Sequence, residues 1–98
     1  MSNNLHFILS LEHSRGDRLT WWRPNESGYC YDLSVAGLYS AERAQEIEKA
    51  SSFRGVRQEI AVPENVARAL ARPIVEATGD NLNRIGASLT EWHEAQAR

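Results

Sequence analysis

The sequence predicts an α+β domain in which an antiparallel sheet of about four strands packs its helices against one face. Three observations predict this class. Apolar residues alternate with polar ones near the N-terminus and again around residue 60. They recur at helical spacing in the last third of the chain. Short turn segments rich in Gly, Pro, Asn and Ser separate the strand-like runs. The predicted order is therefore β-β-β-α-β-α-α.

The predicted strands are the segments in which every second residue is apolar. They cover residues 5–13, 18–23, 29–33 and 56–62. Pro24 is expected to end the second strand, because proline has no N–H to donate to a ladder. The short connections make the first three strands an antiparallel meander. Ile8 interrupts the polar side of the first strand.

Strand parity predicts which side chains form the core. Trp21 and Trp22 are adjacent, so they point to opposite faces of their strand. If the register between strands preserves this parity, the more apolar face is the core, with Leu19, Trp21, Tyr29, Tyr31 and Leu33. The other face then carries Thr20, Trp22, Cys30 and Asp32. The same parity places His6 and His13 on opposite faces.

A first helix is predicted from Ser40, a good N-cap, to about Ala50. Before it, Gly37 is expected to take a backbone conformation that other residues disfavour, and Tyr39 to pack as a hydrophobic staple. On this helix Glu42 and Glu46 are four residues apart and share a face.

Two further helices follow the fourth strand. Pro63 opens the first of them, because its missing N–H does no harm there, and Pro73 is expected to kink or divide it. Gly79 is predicted to close it. The last helix starts near Asp80, with a restart at Ser88 as an alternative.

Composition narrows the range of functions. The 98 residues suit one domain over 1–98, and the net charge of −2 indicates neither a nucleic-acid surface nor an acidic decoy. Cys30 is the only cysteine, so no intramolecular disulfide forms, and the three histidines lack metal-ligand spacing. No cofactor, metal or membrane association is expected. Without a catalytic constellation, the chain is predicted to be a cytoplasmic binding protein and not an enzyme.

The densest aromatic segment, residues 21–39, predicts where a partner binds. Tryptophan and tyrosine beside arginine are typical of interface hot spots. The predicted partner-binding residues are Arg18, Trp22, Arg23, Glu42 and Glu46, the last two as an acidic face for an arginine-rich partner. Three alternatives stay open, one of them an enzyme in which Cys30 lies near a histidine. Aromatic and arginine side chains also suit single-stranded nucleic acid, and an open sheet face suits a homodimer.

Part of this segment resembles a pattern in small phage and prophage accessory proteins. The resemblance covers roughly residues 20–48 and is carried by Trp22-Arg23-Pro24, Gly28-Tyr29 and Ala36-Gly37-Leu38-Tyr39 before the acidic helix. It implies a mobile-element origin. Small phage proteins include inhibitors of host defence such as anti-CRISPR proteins, so the implied partner is a host protein complex blocked by steric occlusion. The resemblance implies no catalytic residues.

Overall fold

The computed structural model describes residues 4–16, 18–71 and 77–97. Within these ranges the strands are β1 (Leu5–Arg15), β2 (Arg18–Trp22), β3 (Tyr29–Cys30), β4 (Tyr39–Ser40) and β5 (Glu59–Pro63). The helices are α1 (Ala41–Ala50), α2 (Glu64–Leu70), α3 (Gly79–Ile85) and α4 (Leu89–Gln96). Short 3-10 turns cover Pro24–Glu26 and Leu33–Val35. The predicted kink at Pro73 lies outside the described residues.

The α+β class and the antiparallel sheet are confirmed, with β1 at the centre. Leu9 and Ser10 pair with β2 and also with β5, so these two strands flank β1 on opposite edges. The short β4, which the sequence did not predict as a strand, pairs with Leu5 and His6 on the β2 side. Strand β3 extends the sheet beyond β2.

Helices cover both sheet faces, whereas the sequence predicted helices on one. The larger core joins one face of the sheet to α2, α3 and α4, and it contains Phe7, Leu9, Trp21, Ile60 and Leu82. Leu19 and Leu33 belong to it as predicted. The smaller core joins the opposite face to α1, through Ile8, Tyr39, Ala44 and Ile47. The physical reason is that β1 is apolar on both faces at Ile8, which needs cover from a helix.

The register between β2 and β3 overturns the predicted core face. Trp22 pairs with Tyr29 and Trp21 pairs with Cys30, so Tyr29 lies on the face of Trp22. Tyr29 and Tyr31 are therefore exposed, at 42% and 45%, while Cys30 packs against the larger core. Parity holds along one strand only. The turn between two strands sets their register and hence which side chains share a face.

The predicted start of α1 is confirmed. The Ser40 side chain accepts a hydrogen bond from the Arg43 N–H at 3.1 Å, and Pro63 precedes α2 as its N-cap. Gly79 was expected to end a helix but begins α3, because the Thr78 side chain caps that helix by accepting from the Asn81 N–H.

The break between α3 and α4 follows the alternative that the sequence left open. Gly86 has φ 97°, a left-handed conformation that glycine adopts without steric cost, and it ends α3. Ser88 and Glu91 then form a capping box that starts α4. The end of α3 and the start of α4 thus depend on local capping residues that can be recognised in the sequence.

The outer edge of β5 is occupied by side chains of α1 and of Ser51, the residue that caps its C-terminus. The Ala61 N–H donates to Glu48 Oε1 at 2.8 Å, and the Glu59 N–H donates to Ser51 Oγ at 3.0 Å. Edge strands with unpaired N–H groups invite pairing with another chain. These two contacts remove donors that a second copy would need in order to extend the sheet at β5.

Gly37 and Tyr39 stabilise the turn that follows β2. The Gly37 N–H donates to the Trp22 carbonyl at 2.9 Å. The Tyr39 hydroxyl donates to the Arg23 carbonyl and accepts from the Glu26 N–H. Tyr39 is therefore a buried anchor in β4. It also packs in the smaller core with Ala44 of α1, four residues beyond the N-cap, which agrees with the predicted staple. Gly37 does not adopt positive φ, so its role is steric and not the predicted special conformation.

Arg57 links three parts of the fold through one guanidinium group. Its Nε and one terminal nitrogen donate to the two Glu91 oxygens at 2.7 and 2.9 Å. That terminal nitrogen also donates to the Gly86 carbonyl at 2.7 Å, and the other lies 3.3 Å from Glu48 of α1. Chiefly through its hydrogen bonds with Arg57, the pKa of Glu91 falls to about 2.

We expect Glu91→Gln to lower the free energy of unfolding at pH 7 by about 2 kcal/mol, because a lowered carboxylate pKa is a stabilisation of the folded state. This contribution is present above the ordinary glutamate pKa of 4.5 and is lost as pH falls toward 2. Urea denaturation at pH 7 and near pH 2 measures the change. Glu64→Gln is the control, because its 2.7 Å pair with Arg68 is exposed and such pairs contribute little. Equal losses in the two variants would contradict the expectation.

Candidate functional site

A surface groove with a volume of about 510 Å³ lies along β2 and β3. We call it the aromatic groove. Its walls combine two tyrosine rings with a few polar and charged groups, and its lining residues are His13, Thr20, Arg23, Tyr29, Cys30, Tyr31, Asp32 and Val35. Binding pockets of this size typically carry a small number of placed polar groups among apolar walls.

A bulge in β1 brings His13 to the groove. Ser10 pairs with Thr20, but the next paired residues are Arg15 and Arg18, so residues 11–14 of β1 face one residue of β2. The Ser14 hydroxyl holds the bulge by donating to the Ser10 carbonyl at 2.6 Å and accepting from the Thr20 N–H at 2.8 Å. Bulges redirect side chains from their regular face. His13 consequently leaves the face that parity predicted for it.

The redirected imidazole stacks on Tyr29. The two ring centroids are 4.0 Å apart with planes inclined by 21°. His13 also lies 3.1 Å from Ser10 Oγ through Nδ1. Burial raises the pKa of the Tyr29 hydroxyl, so this group stays protonated at neutral pH.

Two predicted arginines flank the groove. The Arg18 guanidinium lies 5.8 Å from the Tyr31 ring centroid, and Arg23 Nε donates to the Tyr29 carbonyl at 3.1 Å. Across the residues that the structure describes, neither arginine forms an ion pair. Both charges are thus available to acidic groups on a partner.

Trp22, also a predicted partner-binding residue, lies half-buried beneath this surface. Its Nε1 donates to Glu59 Oε1 at 2.7 Å. Its ring meets Tyr29 and Tyr39 edge to face, at centroid distances of 6.4 and 6.1 Å. One part lines a neighbouring hollow of about 310 Å³ with Glu26 and Tyr29. Trp22 therefore supports the groove more than it presents a free ring.

Glu59 is the residue that sequence reasoning missed. It is 6% exposed, and beyond its hydrogen bond from Trp22 it accepts a longer one, 3.4 Å, from Ser10 Oγ. Burial, with a smaller contribution from the Glu12 charge, raises the pKa of Glu59 to about 7. The one available signal was its position in a strand otherwise dominated by apolar residues.

The other two predicted binding residues lie on a separate surface. Glu42 and Glu46 are exposed on α1 and line a hollow of about 440 Å³ with Gln45, Glu48 and Lys49. Glu46 pairs with Arg43 at 3.1 Å, and Arg43 also pairs with Glu26. The structure therefore groups Arg18 and Arg23 with the aromatic groove, and Glu42 and Glu46 with α1.

Cys30 and His13 both line the groove, the arrangement that would favour a nucleophilic site. The Cys30 thiol, however, contacts the Asp32 carbonyl at 3.5 Å, and burial raises its pKa. A reactive cysteine needs a lowered pKa, because the thiolate is the nucleophile. This environment disfavours a nucleophilic Cys30, and the absence of enzymatic activity stays a prediction.

Comparisons with known proteins find no matching family model, no matching curated protein and no matching solved structure. Over the described part of the chain, the helices are too short and too polar for any to traverse a lipid bilayer.

Proposed function

We propose that the chain is a protein-binding module that docks a partner through the aromatic groove. The observation that carries this proposal is the pairing of exposed Tyr29 and Tyr31 rings with Arg18 and Arg23, which have no carboxylate partner in the described structure. Tyrosine and arginine are enriched among the residues that dominate binding energy.

The side chains that line the groove indicate what kind of partner surface would fit it. The apolar walls suit a hydrophobic or aromatic side chain, and Val35, 46% exposed, extends the apolar surface. Arg18 and Arg23 suit carboxylates beside that side chain, since arginine pairs with carboxylates through two hydrogen bonds. The proposed partner is therefore a protein surface that presents an apolar anchor between acidic residues.

More specifically, we propose that the chain is a phage-encoded inhibitor that blocks a host defence complex by occupying its surface. The support for this more specific proposal is the resemblance of residues 20–48 to phage accessory proteins, together with a groove that offers binding groups and no activated nucleophile. The proposed site of action is then the bacterial cytoplasm.

The test is capture from a nuclease-treated bacterial lysate by the tagged full-length protein, read by mass spectrometry. We expect a stoichiometric protein partner that Tyr31→Ala and Arg18→Ser each weaken at least about tenfold, as for truncated hot-spot residues. Phe53→Ala is the matched control, because Phe53 is 51% exposed and carries Arg54 over its ring at 5.2 Å. Tyr31 is exposed, so its truncation leaves the core intact.

Unchanged capture by Tyr31→Ala and Arg18→Ser would overturn the use of this groove. Equal loss with Phe53→Ala would show that the binding is non-specific. In a parallel sample to which purified untagged chain is added, capture of that copy would establish a homodimer.

The second candidate function is binding of single-stranded nucleic acid. Tyrosine rings beside arginine side chains suit base stacking and phosphate contacts. Glu12 and Asp32 near the same groove reduce its positive charge, which makes this the weaker candidate. Its distinguishing result is capture only when nuclease is omitted, with an affinity that falls steeply as salt rises.

A further inference from the structure

Three side chains that ligate metals in other proteins meet beside the aromatic groove. One ligand atom from each of Glu12, His13 and Glu59 lies within 4.8 Å of the other two. Glu12 and His13 belong to the bulge of β1, and Glu59 begins β5, where it pairs with Ser10. The sequence predicted no metal site, because Glu59 is remote along the chain and only strand pairing brings it to the bulge.

We propose that Glu12, His13 and Glu59 bind one divalent transition-metal ion, with Zn²⁺ as the ion that the ligand set suits best. An imidazole and two carboxylates are ligands that zinc accepts in proteins, and three protein ligands leave a further coordination position open. Calcium and magnesium prefer sites built from oxygen ligands alone, so His13 favours a transition metal.

The three side chains bring together two carboxylates without a balancing cation among the residues that the structure describes. Glu59 is buried, with 6% of the residue exposed, yet the hydrogen bonds to its carboxylate come from the neutral donors Trp22 and Ser10. In the part of the chain that the structure describes, neither Glu12 nor Glu59 forms an ion pair. Buried charges in proteins are normally paired or coordinate a metal. A divalent cation would balance the two carboxylates at this position.

Polar side chains behind the cluster hold two of the three ligands in place. Ser10 Oγ lies 3.1 Å from His13 Nδ1 and 3.4 Å from Glu59 Oε2, so one hydroxyl bridges two of the three side chains. The other Glu59 oxygen is held by Trp22 Nε1 at 2.7 Å. Metal sites generally rely on such partners to orient their ligands.

The two outer ligands, Glu12 and His13, are accessible to solvent, whereas Glu59 is buried in the sheet. Zinc–ligand bonds are about 2.0–2.2 Å long. To bind one ion, the three ligand atoms must therefore come closer together than their present separations of up to 4.8 Å. Small adjustments of the two exposed side chains, with the His13 ring still stacked on Tyr29, would supply that approach without disturbing the core. Because His13 stacks on Tyr29, the bound ion would also hold one wall of the aromatic groove.

The experiment is isothermal titration calorimetry of the full-length, chelator-treated protein with ZnCl₂ at pH 7.5. We expect one Zn²⁺ per chain. His13→Asn and Glu59→Gln should each weaken binding by about 100-fold or more, since loss of a supporting partner alone costs about 10–100-fold. His93→Asn is the matched control, because His93 is an exposed histidine on α4. Co²⁺ titration should give visible absorption bands that His13→Asn abolishes.

Several results would overturn the proposal. These are absence of binding heat in the wild-type protein, binding that His13→Asn leaves unchanged, and equal weakening by His93→Asn. Circular dichroism of each variant confirms that the protein is folded. His13 is exposed, so its substitution tests ligation separately from core stability.

Discussion

Replacing Glu59 by Gln is expected to raise the free energy of unfolding at pH 8 by about 3 kcal/mol in the presence of a chelator. The buried Glu59 carboxylate has its pKa raised to about 7 from the ordinary 4.5, chiefly by burial. Glutamine has nearly the same shape and carries no charge. Its carbonyl oxygen accepts the Trp22 hydrogen bond that Glu59 Oε1 accepts in the wild type. The substitution therefore removes the cost of a buried charge and keeps the contact.

The expected gain in the free energy of unfolding of Glu59→Gln depends on pH. Below pH 4.5 Glu59 is protonated in the folded and the unfolded chain, so wild type and variant should be nearly equal in stability. As pH rises from 4.5 to 7, the unfolded chain releases the proton while the folded protein keeps it, and wild-type stability falls. Above pH 7 the folded protein is ionised as well, and the loss stays constant. The variant should lack this decline.

Urea denaturation of wild type and Glu59→Gln at several pH values between 4 and 9 tests this expectation. Glu94→Gln removes the same charge from an exposed position of α4 and serves as the control. A variant less stable than wild type at pH 8 would mean that the Glu59 carboxylate stabilises the fold, contrary to the burial argument.

Gly37→Ala is expected to lower the free energy of unfolding by about 3 kcal/mol, near the upper end of the cost of overpacking. A Cβ atom at Gly37 would lie 2.6 Å from Pro24 Cα and 2.9 Å from the Arg23 carbonyl carbon. These are backbone atoms of a turn that Tyr39 holds through its hydroxyl. The clash therefore cannot be relieved by rotating a side chain, and the turn itself must shift.

Thermal unfolding followed by circular dichroism measures the loss, with Gly79→Ala as the control. A Cβ at Gly79 would lie 3.6 Å from the Leu89 side chain, an ordinary contact. Because Gly79 is the first residue of α3, alanine there should leave stability unchanged or raise it by about 0.5–1 kcal/mol. If Gly37→Ala cost no more stability than Gly79→Ala, the expected clash between a Cβ at residue 37 and the Pro24 backbone would be contradicted.

The helix caps and the alternation of apolar residues along strands could be predicted from the sequence because both depend on neighbouring residues. Ser40 and Ser88 start their helices through side-chain hydrogen bonds to N–H groups three residues away. Strand alternation along β1 likewise predicted the burial of Phe7, Leu9 and Leu11. Each of these features depends on residues within one turn or one strand, so the order of residues suffices to predict it.

The candidate site depended on contacts that no local pattern encodes. The bulge in β1 turned His13 toward Tyr29, and the β2–β3 register placed Tyr29 beside Trp22. Glu59 reached Trp22 and Ser10 only through the pairing of β5 with β1.

The sequence by itself thus determined the α+β class, the antiparallel strands and the helix starts, because neighbouring residues decide propensity, capping and alternation. Only the tertiary structure decided which faces the helices cover, which tyrosines stay exposed and which carboxylate is buried. Register and bulges shift whole sets of side chains between faces, and their energies come from pairing partners far apart along the chain.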